Sequence, residues 1–219
     1  MAFNEYYQKE IERYGGREEY VFAKAKEKQP LIKRIIKYAH QGRILEAGSG
    51  SSANSIYLTS KGYDVTAIDN DQKMISLAKD LSKLFKIRPK FIKKKIESLD
   101  GKYSVVFSHG VLEHFKDSKI ANLIKKELEL GDYVIFSVPS NFFRKDQAIN
   151  GDERFMSVKK WRDLISKSDA DIVEEFSYFY DPDNLKLRFL KFIFILTGGI
   201  LPGKKPYIGF VIRKNVHSA

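Results

Sequence analysis

A glycine turn and a carboxylate follow the first two strand-like segments of the chain. Gly48 and Gly50 come directly after the apolar run Arg43 to Ala47. Glycine permits the positive φ angles that bring backbone N–H groups close to a ligand at the start of a helix. Asp69 lies 21 residues beyond Gly48 and follows the second run, Asp64 to Ile68. A carboxylate there can accept hydrogen bonds from both hydroxyls of a ribose, so the pair predicts a nucleoside-binding site.

The glycine turn alone does not identify the ligand. Gly48, Gly50 and Ala53 also satisfy the G-x-G-x-x-G/A fingerprint of dinucleotide sites, so a nicotinamide oxidoreductase is one alternative. Glu46, two residues before Gly48, would place a negative charge beside the turn. That charge repels a pyrophosphate and suits a cationic amino-acid tail. The residue types therefore favour a nucleoside with such a tail over a dinucleotide.

The elements that must position these residues alternate between strands and helices. Asn70 and Asp71 give a helix N-cap signal, and apolar residues at three- and four-residue spacing predict a helix from about Asp71 to Phe85. Pro30 opens another amphipathic helix, which precedes the first strand and ends at Gly42. This alternation predicts right-handed βαβ units in a doubly wound parallel sheet. Further buried strands are predicted at Lys90 to Lys94, Ser104 to Ser108 and Asp132 to Val138.

The pattern changes after residue 170. Ile172 to Tyr180 and Pro206 to Lys214 predict two more strands, of which the last is expected to run antiparallel. The apolar segment Leu185 to Leu201 predicts a helical insertion that packs on the sheet or forms a dimer contact; an interfacial membrane helix is the alternative. We therefore predict a single domain, with a helical cap or lid at 1–40, a ligand-binding core at 41–170 and a C-terminal hairpin at 171–219.

Composition limits the partners and the compartment. The chain has 219 residues, no Cys, and 39 Lys and Arg against 28 Asp and Glu, which gives a net charge of +11. The absence of Cys excludes disulfides and thiolate metal sites. The charged amino terminus lacks the apolar stretch of a signal peptide, so a cytoplasmic protein without a transmembrane segment is predicted, with peripheral membrane contact as an alternative. The positive charge favours anionic ligands or surfaces without identifying one.

A third motif follows the fourth predicted strand, where Ser108 to Phe115 read S-H-G-V-L-E-H-F. Together with E-A-G-S-G at 46–50 and I-D-N at 68–70, it resembles the class I S-adenosylmethionine-dependent methyltransferases, in particular their small-molecule branch, over roughly residues 30–170. The resemblance implies an α/β, single-domain, Rossmann-like fold, with a seven-stranded sheet, an antiparallel last strand and helices on both faces. It also implies S-adenosylmethionine as cofactor and S-adenosylhomocysteine as product.

The resemblance assigns cofactor contacts to the ends of four strands. It implies that the glycine turn lines the methionine portion of the cofactor and that Asp69 holds the ribose hydroxyls. Residues after the second and third strands would lie beside the adenine, and residues after the fourth would close the site. The implied cofactor residues are Glu46, Gly48, Ser49, Gly50, Asp69, Asn70, Met74, Ile96, Glu97, His109 and Gly110.

Two positions depart from the family pattern. Ser52 stands where the family has a third glycine, and it should restrict the turn but leave cofactor binding intact. Lys95 stands where the family often has an aspartate that accepts a hydrogen bond from the adenine amino group. Lysine is only a donor. Glu97, a backbone carbonyl, or stacking together with the Ile96 amide must therefore hold the adenine, and we expect Lys95 to point to solvent.

The implied reaction is an in-line methyl transfer. Holding the acceptor atom close to the methyl group supplies most of the rate, and a base removes a proton where the acceptor needs it. His114 is the candidate base because an imidazole titrates near neutral pH; the alternative is that it caps the helix beginning near Asp117. Glu113 is expected to be a solvated or cap-supporting carboxylate. No acidic pair stands near His109 and His114 at ligand spacing, so no metal site is expected.

The acceptor is expected to be a small molecule or metabolite, anionic or lipid-like, that is methylated at oxygen or nitrogen. It should bind between the segments after the fourth and fifth strands and the amino-terminal helix, whose tyrosines could form a lid. The basic run Lys86 to Lys95 leaves an RNA acceptor open, although a solvated face is favoured. A non-catalytic cofactor-binding protein of the same fold is the other alternative. The candidate substrate residues are Tyr14, Asn141, Arg144 and Arg154.

Overall fold

The computed structural model describes residues 3–143, 148, 151–178 and 206–215, with side chains from Glu5 onward. The strands in these ranges form one seven-stranded sheet. They are β1 (Ile44–Ala47), β2 (Val65–Asp69), β3 (Lys90–Lys93), β4 (Tyr103–His109), β5 (Gly131–Pro139), β6 (Ala170–Tyr178) and β7 (Tyr207–Lys214). Each begins and ends within two residues of its predicted bounds wherever the structure describes both.

The sheet is parallel from β1 to β5 and antiparallel at one side. Its order is β3-β2-β1-β4-β5-β7-β6. Strand β7 runs antiparallel to both of its neighbours, β5 and β6. The register pairs Ala47 with Ile68, which brings the glycine turn and Asp69 to the same edge of the sheet. This confirms the predicted α/β fold with a seven-stranded sheet and an antiparallel last strand.

Helices α1 to α3 precede the first strand. The helices are α1 (Phe3–Arg13), α2 (Arg17–Glu27), α3 (Gln29–Ala39), α4 (Ala53–Ser60), α5 (Gln72–Leu84), α6 (Asp117–Leu130) and α7 (Val158–Ser166), with 3-10 turns η1 (Ile96–Ser98) and η2 (Leu112–His114). The Asp71 carboxylate caps α5 as predicted, accepting a hydrogen bond from the Lys73 N–H at 2.7 Å. Helix α3 ends three residues before Gly42, because His40 adopts a positive φ of 49°.

Helices cover both faces of the sheet. Side chains alternate between faces along a strand, and in β5 Val134 and Phe136 belong to one apolar cluster while Ile135 belongs to another. The first cluster includes the buried side of α6 and α7, and the second includes the buried side of α3. The predicted arrangement of helices is therefore confirmed. The division of the chain into a cap, a core and a hairpin stays a prediction.

The edge strand β3 carries exposed lysines at both of its ends. Charged side chains on an edge strand oppose pairing with another chain, which agrees with the solvated face expected for this basic run. After β3, the chain reaches β4 through η1 and no described α-helix. Residues of both η1 and α6 line a cavity.

Three predicted features lie outside the described residues. They are the apolar segment Leu185 to Leu201, the last two residues of the sixth predicted strand, and the candidate substrate residue Arg144. Within the described ranges, no helix has the length and apolar character needed to cross a membrane.

Candidate active site

The turn after β1 can be built only with glycine at two positions. Gly48 and Gly50 have φ values of 64° and 51°, in the left-handed region that side chains disfavour. A Cβ atom at Gly48 would lie 2.7 Å from the Val111 Cγ2 atom, and one at Gly50 would lie 2.3 Å from the Tyr7 hydroxyl. Both separations are too short for non-bonded atoms. The Val111 and Tyr7 side chains therefore occupy the space that a side chain at Gly48 or Gly50 would need.

Ser52 takes the glycine-like conformation that the family pattern requires. Its φ is 57°, and its hydroxyl donates a hydrogen bond to the Ser49 hydroxyl at 2.8 Å. Serine therefore adopts the left-handed backbone of this turn, and the first half of the turn keeps its glycines. The left-handed backbone costs about 1–2 kcal/mol, and the buried hydroxyl pair offsets part of that cost.

This balance predicts how substitutions at Ser52 behave. Ser52→Gly relieves the backbone strain but loses the hydrogen bond and gains entropy in the unfolded chain, so we expect the free energy of unfolding to change by less than about 1 kcal/mol. Ser52→Val keeps the strained φ with a β-branched side chain at a fully buried position, and should lower it by about 2 kcal/mol or more. Urea unfolding of the two variants measures the difference; equal effects would contradict the strain argument.

Glu46 is buried beneath the turn and is held by the start of α4. Its carboxylate accepts hydrogen bonds from the Asn54 side-chain amide at 2.9 Å, from the Ser55 N–H at 3.2 Å and from the Ser55 hydroxyl. Burial raises the pKa of Glu46, while these hydrogen bonds and Lys28 oppose the increase. The acid thus fixes the turn against the helix and also faces a cavity.

Asp69 joins the end of β2 to the glycine turn. Its Oδ2 atom accepts a hydrogen bond from the Gly50 N–H at 2.8 Å, and its Oδ1 atom accepts one from the Asp71 N–H at 2.9 Å. The side chain remains only partly buried. A carboxylate has about four acceptor sites, so Asp69 retains capacity for a ligand's hydroxyl groups.

Two cavities meet at this edge of the sheet. The larger has a volume of about 580 Å³ and the smaller one of about 170 Å³. Every cofactor residue predicted from the sequence lines one or both of them. The wall that the two cavities share is formed by Tyr7, Gly48, His109, Gly110 and His114.

The larger cavity contains the residues predicted to surround adenosine. Asp69, Asn70, Met74 and Ile96 line it together with Glu97. The Glu97 carboxylate also forms an ion pair with Lys119 of α6 across the opening. Lys95 is an exposed residue at the rim, in agreement with the expectation that it points to solvent.

Glu127 is an acid of this cavity that the sequence analysis did not single out. It lies on the apolar side of α6, is 1% exposed, and its Oε2 atom has no hydrogen-bond partner among the described residues. Burial raises the pKa of Glu127 to about 8. In the sequence, Glu127 occurs at helical spacing with the apolar residues Leu123, Ile124 and Leu128, and this pattern could have predicted a buried acid.

The smaller cavity is lined by two buried lysines, Lys24 of α2 and Lys28, which caps the C-terminus of that helix. Lys24 is 3% exposed and Lys28 is 7% exposed. Lys24 forms ion pairs with Glu10 and Glu27. Burial and the nearby Lys24 ammonium lower the pKa of Lys28 to about 8. Lysine side chains are therefore present in the wall of this cavity as well as on the surface, and the Lys24 ammonium is paired there with two carboxylates.

Aromatic rings form much of the remaining wall of the smaller cavity. Phe143 packs edge-on against Tyr207 at 5.3 Å between ring centroids and lies 5.7 Å from Phe155. Tyr6 and Tyr7 of α1 also line this cavity, and the tyrosine lid stays a prediction. Aromatic walls of this kind bind flat apolar groups with little loss of side-chain entropy.

His109 is a partly buried imidazole that two hydroxyl groups hold in place. Its Nδ1 atom lies 2.8 Å from the Ser137 hydroxyl oxygen and 3.2 Å from the Tyr178 hydroxyl oxygen. Burial lowers the pKa of His109 well below its ordinary value, with a further contribution from Lys28 and Lys24. This network fixes the ring in the wall between the two cavities.

His114 lies in the same shared wall and interacts with an acid distant in sequence. Its Nδ1 atom is 2.8 Å from Asp152 Oδ1. The N-cap position of α6 is occupied by Lys116 rather than by His114. Asp152 and Glu153 both approach the imidazole, so the expectation that no acidic pair accompanies this histidine is wrong in three dimensions.

Glu113 is buried, and the expectation of a solvated carboxylate is wrong. It is 3% exposed because the segment after Gly151 folds over η2, where the Arg154 N–H donates to the Glu113 carbonyl oxygen at 3.0 Å. Burial raises the pKa of Glu113 to about 7. Its Oε2 atom has no hydrogen-bond partner in the part of the chain that the structure describes.

The structure places the described candidate substrate residues outside the cavity walls. The Tyr14 hydroxyl donates to Glu27. Asn141 is exposed, and its backbone pairs with Met156. The Arg154 guanidinium donates to the Phe115 carbonyl oxygen and to the Asp117 carboxylate, both at 2.6 Å. The Tyr14 and Arg154 side chains are engaged elsewhere, and lysines and aromatic rings line the smaller cavity instead.

The sheet order and the position of the cavities define a class of protein. A seven-stranded sheet of this order, with one antiparallel strand and a nucleoside-sized cavity beyond β1, β2 and β4, is the class I methyltransferase fold. A magnesium protoporphyrin IX methyltransferase from Synechocystis PCC 6803, solved with bound S-adenosylmethionine, shares it with a TM-score of 0.64 at 16% identity over 88% of this chain and 81% of that one. The 1,6-didemethyltoxoflavin-N1-methyltransferase of Burkholderia thailandensis gives 0.63 at 15% identity over 91% and 87%.

Sequence comparison agrees with the fold. Residues 44–129 match the family described as methyltransferase domain. A ubiquinone biosynthesis O-methyltransferase from Rickettsia bellii is 32% identical over 99 residues, which are 43% of this chain and 41% of that protein. The match thus spans about two fifths of the length of this curated relative. Residues 44–129 are thus similar to a methyltransferase domain, and the fold is that of class I S-adenosylmethionine-dependent methyltransferases, in agreement with the resemblance that the motifs predicted.

Proposed function

We propose that this chain transfers the methyl group of S-adenosylmethionine to an oxygen or nitrogen atom of a small-molecule acceptor. The observation that carries the proposal is the pair of cavities with a common wall. The larger cavity would hold the adenosine, with the ribose on Asp69. The smaller cavity would hold the methionine tail beside Glu46 and Ser49 and the acceptor beside the aromatic rings.

The wall shared by the cavities is where the reacting atoms would meet. The cofactor's sulfonium would lie near Gly48 and Gly110, with its methyl group directed toward the smaller cavity. The acceptor atom forms a bond to the methyl carbon as the carbon–sulfur bond breaks, and the electron pair of that bond remains on sulfur. The protein contributes mainly by aligning the two partners and excluding water, for which the tyrosines of α1 are placed.

The acceptor chemistry that suits the smaller cavity is a flat molecule with an anionic group. Phe143, Phe155 and Tyr207 provide apolar faces, and Lys24 and Lys28 provide positive charge. The relatives named above are an O-methyltransferase and an N1-methyltransferase, which keeps both acceptor atoms within the proposal. His114 lies in the wall that the two cavities share. It is the candidate base that would remove a proton from the acceptor.

Calorimetric titration tests the cofactor half of this proposal. We expect S-adenosylhomocysteine to bind with one site per chain, and NAD to give no saturable heat, because Glu46 and the turn favour an amino-acid tail over a pyrophosphate. An unresponsive titration with S-adenosylhomocysteine, or preferential binding of NAD, would overturn the proposal. Methyl transfer to candidate flat acids and phenols, followed by mass spectrometry, then tests the acceptor half.

A further inference from the structure

The two side chains after β3 that could recognise an adenine amino group are both exposed. Lys95 stands where the family pattern often has an aspartate, and its ammonium group only donates hydrogen bonds. The Glu97 carboxylate is paired with Lys119 of α6. Neither side chain therefore gives the larger cavity a buried acceptor for such an amino group.

Glu127 of α6 supplies a buried carboxyl group to the wall of the same cavity. It is 1% exposed, and its Oε2 atom has no hydrogen-bond partner among the residues that the structure describes. An unpartnered buried oxygen is costly, because it has lost water without gaining another donor. A ligand that enters the cavity and completes this hydrogen bond removes that cost.

The position of Glu127 relates it to the nucleoside end of the cavity. Helix α6 begins at Asp117, shortly after β4 ends, so its amino terminus lies at the edge of the sheet that carries Asp69. Side chains of an α-helix lean toward its amino terminus, which directs Glu127 toward this edge. Ile96 and Leu123 provide apolar surface in the same wall. An adenine that extends from Asp69 toward Glu127 would lie against this surface.

The hydrogen-bonding groups of a buried glutamate match the amino edge of adenine. Burial raises the pKa of Glu127 to about 8, so the carboxyl group retains its proton at pH 7. A neutral carboxyl group has one acceptor oxygen and one O–H donor. Adenine presents its 6-amino donor beside a ring nitrogen that accepts. The two edges can therefore form a pair of hydrogen bonds, as a glutamine amide does with adenine.

We propose that Glu127 recognises the adenine of the cofactor, accepting a hydrogen bond from the 6-amino group and donating one to the adjacent ring nitrogen. It thereby performs, from a different element of the fold, the role of the acid that Lys95 replaces. The site selects a nucleoside with a 6-amino group over the corresponding unsubstituted purine. The inference rests on the proposed binding of S-adenosylmethionine and adds the residue that identifies its base.

Calorimetric comparison of two ligands tests this role of Glu127. One ligand is S-adenosylhomocysteine, and the other is its purine analogue, which has hydrogen in place of the 6-amino group. We expect the parent to bind S-adenosylhomocysteine about tenfold more tightly, because the analogue leaves the buried acceptor unpaired. Glu127→Leu should reduce this preference to about one. Glu127→Gln should keep it, since an amide also pairs with adenine.

Two further variants identify the acid responsible for the preference. Glu129→Gln is the matched control, because Glu129 lies two residues further along α6 with a side chain that is 67% exposed. It should keep the preference of the parent. Glu97→Gln examines the other acid of the cavity. If Glu97→Gln rather than Glu127→Leu abolishes the preference, Glu97 recognises the amino group and the proposal is overturned.

The results that contradict this inference differ from those that contradict the proposed function. Binding of S-adenosylhomocysteine without a preference for the amino group, or a preference that persists in Glu127→Leu, overturns only the role of Glu127. Absence of binding to the parent overturns the proposed cofactor and the role of Glu127 together. Circular dichroism verifies that each variant is folded. Glu127→Met, with an apolar side chain of similar length, provides the same comparison if Glu127→Leu does not fold.

Discussion

Asp69→Ala should weaken the binding of S-adenosylhomocysteine by a factor of about 100 or more. The proposed ribose contact consists of two hydrogen bonds to a charged acceptor, and each such bond contributes about 1.5–3 kcal/mol. Their combined loss of at least about 3 kcal/mol corresponds to roughly a hundredfold change in Kd. The substitution also releases the Gly50 N–H from its 2.8 Å contact with the carboxylate, which adds to the loss. Isothermal titration calorimetry gives the two constants.

The matched control for this prediction is Asp64→Ala. Asp64 is exposed, and it immediately precedes β2, which Asp69 ends. It has the same side chain at the opposite end of the strand, so its removal should leave the affinity unchanged. Urea unfolding of both variants shows whether the turn has collapsed. If Asp69→Ala bound S-adenosylhomocysteine with the affinity of the parent, the ribose would not be bound by this carboxylate. The proposed position of the adenosine in the larger cavity would then be contradicted as well.

The meeting of the residues proposed to bind the cofactor could be predicted from the sequence because local rules place them. Gly48 and Gly50 must follow a strand that ends at the sheet edge, and Asp69 ends the adjacent strand in register. The parallel order of β1, β2 and β4 then places their following turns around one cavity. The ends of the strands and the doubly wound topology, both of which the sequence predicts, are sufficient to bring these residues together.

The acceptor half could not be predicted because it depends on which segments meet. His114 and Asp152 are 38 residues apart in the chain, and their contact exists only because the segment after Gly151 folds over η2. The same folding buries Glu113 and turns Arg154 toward Asp117. Lys24 of α2 and Lys28, which follows that helix, are buried where α1 and α2 pack against the turn. None of these contacts follows from spacing or residue type alone.

Glu127→Gln should make the folded protein more stable at alkaline pH but leave its stability at pH 5 nearly unchanged. Burial without a charged partner raises the pKa of Glu127 to about 8 in the folded chain, whereas an exposed glutamate has a pKa of 4.5. Between these two values the folded state retains the proton and the unfolded state releases it. The carboxyl group therefore lowers the free energy of unfolding progressively as the pH rises from about 4.5 to about 8.

The size of this effect follows from the shift. One pKa unit corresponds to about 1.4 kcal/mol, so the cost of the ionisable group is about 3 kcal/mol at pH 7 and reaches about 4–5 kcal/mol above pH 8. Glutamine has nearly the same shape and does not ionise. We expect urea unfolding to give a variant-minus-parent difference close to zero at pH 5 and of several kcal/mol at pH 8.5. Other titrating groups are present in both proteins and cancel in that difference.

Glu129→Gln provides the comparison that isolates burial as the cause. Glu129 lies two residues further along α6, its side chain is 67% exposed, and it pairs with Lys126 at 3.5 Å. An exposed ion pair of this kind contributes about 0–1 kcal/mol, so its removal should produce a small difference with little dependence on pH. A Glu127→Gln difference that stays constant from pH 5 to 8.5 would mean that the buried carboxyl ionises at its ordinary pKa. Water or a counter-ion in the cavity beside α6 would then have to solvate the ionised carboxylate. The buried end of that cavity would in that case be as polar as its opening.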